Sequence, residues 1–126
     1  MADAHEEYDR GNELWHAGRI EEAARRYEEA VHALTPADDD LAPDLYENLG
    51  VALWQLGRHR PALRALYRVL DGDLGARQQS LRLAVSCCFR IGRTIDGARL
   101  LAEYETRFGP HPEGWNQRGI SASDGG

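Results

Sequence analysis

The sequence predicts an all-α protein, an α-solenoid of three antiparallel helix-turn-helix repeats. The Gly-Arg pairs Gly18-Arg19, Gly57-Arg58 and Gly92-Arg93 recur at spacings of 39 and 35 residues, the signature of an internal repeat. Between these glycines, apolar side chains return with helical spacing. No segment alternates apolar and polar residues with period two, so no strand is expected.

The repeat register is set by the glycine of each pair. Seven residues before it stand Gly11, Gly50 and Val85; four before, Leu14, Leu53 and Cys88; three before, Trp15, Trp54 and Phe89. Five after it stand Ala23, Ala62 and Gly97, and nine after, Tyr27, Leu66 and Leu101. Each unit reads as two helices, A and B, with the glycine closing A in a left-handed turn. The expected helices run over 3–17, 20–34, 43–56, 60–71, 75–91 and 94–108. The first B helix carries its stripe on Ile20, Ala23, Ala24, Tyr27, Ala30, Val31 and Leu34, one face of four turns. The second A helix carries Leu45, Tyr46, Leu49, Leu53 and Leu56, and the third Leu81, Ala84, Val85 and Cys88. Pro61 falls in the first turn of its B helix, where a missing N–H costs little. Thr35 to Ala42, with Asp38-Asp39-Asp40, is a lengthened loop that accounts for the 39-residue spacing.

The chain of 126 residues is read as one domain over 1–108, with a Gly-rich tail over 109–126. The tail contains five Gly and two Pro and lacks helical periodicity, so it is read as a mobile tail or a loosely docked arm. The net charge of −6 disfavours nucleic acid as a main partner. Charge is also uneven: residues 1–47 hold 14 Asp/Glu and 4 Arg, whereas 48–126 hold 7 and 11. All basic residues are Arg. No apolar run is long enough to span a bilayer, and Met1 to Asp9 lacks the apolar core of a secretory signal; a cytoplasmic protein is expected. Cys87 and Cys88 are adjacent and read as two ordinary reduced thiols.

With this register in place, the chain resembles the tetratricopeptide repeat family, whose pattern is W-x2-L-G-x2-Y, then Gly, then A-x3-F-x2-A and Pro. Repeat two carries it as Tyr46-x2-Leu49-Gly50-x2-Leu53, Gly57 and Ala62-x3-Leu66-x2-Val69. Repeat one has Gly11-x2-Leu14, Gly18 and Ala23-x3-Tyr27-x2-Ala30; repeat three is divergent, with Leu81, Ala84, Val85 and Cys88, then Gly97, Leu101 and Tyr104. The repeats fall at about 4–36, 43–74 and 78–110, as in compact bacterial proteins built only of such units. The resemblance implies a right-handed superhelix whose A helices line a concave groove for a peptide or partner helix. Independently of the family, each hairpin leaves apolar surface that only a neighbour can cover.

The stripe beside the core positions of each A helix is expected to face that groove. Its candidate binding residues are Tyr8, Asn12, Trp15, Asp44, Glu47, Asn48, Val51, Trp54, Arg82, Ser86 and Arg90, flanked by His16, Gln79 and Leu83. Aromatic rings would contribute area and amides would bond a peptide backbone. Trp15, Trp54 and Phe89 serve equally well as packing between neighbouring A helices. One branch of the family clamps a C-terminal carboxylate; Asn12 and Asn48 match its asparagines, but Tyr8, Gln79 and Leu83 stand where its cations belong, so that clamp is not expected. Asp9, Asp44 and Glu47 would favour a basic ligand at one end of the groove, and Arg82 and Arg90 an acidic one at the other.

Other constellations point to no chemistry. Asp38-Asp39-Asp40 lacks the spacing of a calcium loop, the five histidines are scattered, and no phosphate-binding or nucleophile motif is present. No enzyme activity, cofactor or metal is expected. Arg60, Arg64 and Arg68 read as a solvated convex face, with a patch for RNA or an acidic partner as the sharper alternative. The last repeat lacks a following amphipathic helix. Leu100, Leu101, Tyr104 and Phe108 therefore need a cover, either Trp115 and Ile120 folding back or a second copy of the chain in a homodimer.

Overall fold

A computed structural model describes residues 3–71 and 77–122. Among these residues the elements are α1 (Ala4–His16), α2 (Ile20–Ala33), α3 (Ala42–Gln55), α4 (His59–Leu70), α5 (Gln78–Arg90) and α6 (Thr94–Phe108), with no strand. The predicted all-α class is what is observed, with helix ends within a few residues of those expected. The predicted start of the fifth helix at 75, and Gly75, lie outside the described residues. Thr35–Ala42 contains a single 3-10 turn at Pro36–Asp38, where the Asp38 carboxylate accepts the Thr35 backbone N–H at 2.9 Å.

The Gly-Arg pairs are helix stops. Gly18, Gly57 and Gly92 have φ of 78°, 76° and 83°, backbone that glycine adopts without penalty. The Gly18 N–H donates to Trp15 O at 2.9 Å and the Arg19 N–H to Leu14 O at 2.9 Å. The same two bonds close α3 (Gly57 to Trp54, Arg58 to Leu53) and α5 (Gly92 to Phe89, Arg93 to Cys88). This is the paired pattern that satisfies the last carbonyls of a helix. Each arginine carbonyl then accepts the first i→i−4 hydrogen bond of the next helix, from the N–H of Ala23, Ala62 and Gly97. The repeated dipeptide thus ends one helix and starts the next.

The same register explains size pairing within each hairpin. A Cβ on Gly11 would lie 2.5 Å from the Tyr27 ring, and one on Gly50 2.6 Å from Leu66 Cδ2. In the first two hairpins the glycine seven before the turn receives the bulky residue nine after it; in the third Val85 replaces that glycine, and Gly97, five after the turn, receives the Phe89 ring instead. Pairing follows the sequence: α1 packs on α2, α3 on α4 and α5 on α6, with α2 on α3 and α4 on α5 joining the hairpins and α3 touching α5. Tyr27, Leu45, Leu66, Leu81, Leu83, Leu101 and Tyr104 are fully buried in one shared core.

The C-terminal segment is docked over residues 109–122, which corrects the reading of 109–126 as a mobile tail and agrees with the alternative of a docked arm; residues 123–126 lie outside the described chain. The His111 ring bonds the Arg82 carbonyl through Nε2 at 2.9 Å and stacks on Tyr104 at 5.1 Å. Trp115 is 6% exposed, lies 5.0 Å from the Phe89 ring, and has the Arg90 guanidinium over its face at 5.5 Å. The segment turns back on itself through Asn116 N–H to Ile120 O and Ala122 N–H to Glu113 O. In the repeat register Arg82 and Phe89 correspond to Glu47 and Trp54, the α3 residues that meet α5. The segment therefore covers the surface on which the first helix of a fourth repeat would lie. Of the two covers the sequence offers for the last hairpin, Trp115 folding back or a second copy of the chain, the first is observed for Trp115. Leu100, Tyr104 and Trp115, also named as a self-association surface, are buried within the chain. Phe108 is 38% exposed, and Ile120, at 50%, does not serve as a cover.

Stability is also sensitive to mild acid through His59. His59 Nδ1 is buried without a hydrogen-bond partner among the described residues. Burial, and then the Arg90 guanidinium, hold the imidazole below the usual histidine range against an opposing pull from Glu113. The unfolded chain takes up its proton near pH 6.5. The contribution of neutral His59 is complete above about pH 6.5 and is lost as pH falls through the lower folded value. The Tm should fall as pH drops below about 6.5, and less steeply in His59→Gln; equal acid slopes in the two proteins would contradict this.

Candidate functional site

The face shared by the three A helices holds a concave pocket of about 320 Å³, lined by Asn12, Trp15, His16, Tyr27, Asn48, Val51 and Gln79. α1, α3 and α5 each contribute, because residues four apart on one helix fall on one face. Four of the sequence candidates, Asn12, Trp15, Asn48 and Val51, meet here.

Hydrogen bonds hold the polar floor. The Tyr27 hydroxyl, reaching through from α2, donates to Asn12 Oδ1 at 2.6 Å. The Asn48 amide donates to the same oxygen at 3.1 Å and to the Tyr8 hydroxyl at 3.2 Å. Asn12 Oδ1 is thereby saturated, and the amide ends not used in these bonds are Asn12 Nδ2, a donor, and Asn48 Oδ1, an acceptor. A peptide backbone presents the complementary pair of groups. Burial, with Tyr8 nearby, pushes the Tyr27 phenol up to about 12, so it stays a neutral donor at physiological pH. Tyr8 acts behind the floor by fixing Asn48. Tyr27 is absent from the sequence candidates because its periodicity marks it only as core.

The remaining candidates are placed differently. Trp54 is half-buried and its Nε1 donates to Ser86 Oγ at 3.4 Å, so it packs between α3 and α5. Ser86 is fully buried and also bonded by Arg90 Nε at 3.3 Å; it is not a floor residue. Leu83 is buried as well. Of the five charges assigned to the two ends of the groove, Asp44, Glu47 and Arg90 are matched internally, whereas the exposed Asp9 and the half-buried Arg82 have no ion-pair partner among the described residues. Asp44 pairs with Arg77 at 2.7 Å, and Glu47 pairs with Arg77 at 3.4 Å and accepts from Ser80. Arg90 pairs with Glu113 of the C-terminal segment at 3.8 Å. Arg82 is half-buried, its carbonyl taken by His111.

Cys87 and Cys88 are free and buried. Burial pushes the Cys87 thiol up to about 12 and raises that of Cys88, which leaves both protonated and unreactive. No helix among the described residues is long and apolar enough to cross a membrane. In comparison with known proteins, no family model and no curated protein sequence matches the chain.

Proposed function

We propose that the chain is a non-catalytic protein-interaction module of tetratricopeptide type in a bacterial cytoplasm, binding a peptide or partner helix on the face shared by α1, α3 and α5. The carrying observation is the pre-bonded floor of Asn12 and Asn48 between Trp15 and Val51. Its unused donor and acceptor suit an extended backbone, and the adjoining rings supply apolar area without reorganisation. The Gly-Arg register and the tetratricopeptide pattern support the same reading, and two free thiols are in keeping with a reducing compartment.

The test is peptide selection against the full chain, followed by titration of the selected peptides. Val51→Arg fills the pocket from a half-buried position and is expected to weaken those peptides at least about tenfold, with the helical circular dichroism unchanged. Undiminished binding by a folded Val51→Arg protein would refute the assignment.

A further inference from the structure

We propose that the opposite, convex side of the second hairpin is a docking groove for an acidic amphipathic helix of a partner protein. The B helices α2 and α4 leave a gap of about 300 Å³ floored by Tyr46, Leu49 and Leu53 of α3 and walled by Arg64 and Arg68. A second depression of about 370 Å³ adjoins it through Tyr46 and Arg68. The two meet at Tyr46 and Arg68 in one trough, whose first part is walled by α4 and whose second runs past the end of α2 and the start of α3.

Charge selects the occupant. Arg60, Arg64 and Arg68 stand four apart on α4, spaced at about 6 Å along one face. Arg58 is neutralised by Glu21 at 2.7 Å. Arg60, Arg64 and Arg68 are exposed and have no carboxylate at ion-pair distance among the described residues. The Arg68 guanidinium is held over the Tyr46 ring at 5.2 Å, which orients it at the lip of the trough. A helix with carboxylates at i, i+4 and i+8 matches this row in pitch, and its neighbouring apolar stripe meets the half-buried Tyr46 and Pro61. Glu28 on the facing wall and Asp38 and Asp39 at the far end confine negative charge to the α4 side. They repel a continuous phosphate backbone, which disfavours RNA in the same trough.

The probe is a synthetic amphipathic helix with Glu at i, i+4 and i+8 beside a Leu stripe, titrated with the full chain by fluorescence anisotropy at low and high salt. Binding should be at least about tenfold tighter than that of the Lys-substituted analogue and weaken with salt. Arg60→Glu with Arg64→Glu should abolish the preference, and Arg64→Gln should weaken it. Val51→Arg, on the other face, should leave it unchanged, so failure here is distinguishable from failure of the concave site. Three results would overturn the proposal: equal binding of the Glu and Lys peptides, retained preference in the double variant, or tighter binding of single-stranded RNA dependent on Arg64. Self-association of the chain that disappears in Arg64→Gln would overturn it too, by identifying a second copy as the occupant.

Discussion

Replacing Trp115 with Ala is expected to lower folding stability by about 3–5 kcal/mol, the range for truncating a buried large aromatic. The residue lies in a Gly- and Pro-rich segment, where a loss of that size would be unusual for a disordered tail. Its indole is stacked on Phe89 and under Arg90, so truncation uncovers both. Urea unfolding of the full chain and of Trp115→Ala measures the difference; a loss below about 1 kcal/mol, the scale of surface substitutions, would show that the segment does not close the fold. Ending the chain at Gly109 also removes His111 from Tyr104, and light scattering should then detect association through the uncovered α5–α6 surface. Monomers of the shortened chain, unchanged in stability, would contradict this.

Tyr27→Ala is expected to cost a similar amount, about 3–5 kcal/mol. The side chain is 1% exposed and fills the space left by Gly11, with the Tyr8 ring 6.0 Å away. Tyr27→Phe separates packing from polarity. It keeps the ring and removes only the bond to Asn12, a change of about 1 kcal/mol. Its larger effect falls on the concave site: Asn12 loses a fixed donor, and peptide affinity should drop while the fold persists. Equal stability losses in the Ala and Phe variants would contradict this division.

The fold was legible because its punctuation is local. A Gly-Arg dipeptide that ends one helix and begins the next leaves a mark in sequence at every hairpin, and the small and bulky partners follow at fixed offsets. The binding face was partly legible: the face offset that places Asn12 and Asn48 holds for α1 and α3. On α5 it holds for Gln79 and fails for Leu83 and Ser86, which are buried because α5 is packed by α3, α4 and α6 and lies beneath Trp115. The docking of the C-terminal segment has no periodicity to reveal it; its signals were the uncovered stripe of the last hairpin and the apolar Trp115 and Ile120, of which Trp115 alone is buried. The matching of Asp44 and Glu47 was equally hidden, since Arg77 lies about 30 residues further on and outside any helical stripe.

The shared interior of three hairpins, closed by the C-terminal segment, is most directly tested by a nuclear Overhauser spectrum of the full chain. Cross-peaks between the Phe89 ring and the Trp115 indole, and between the Tyr27 ring and the Gly11 α-protons, are the predicted result. Random-coil shifts for Trp115, or a Tyr27 ring with no contact to Gly11, would contradict it.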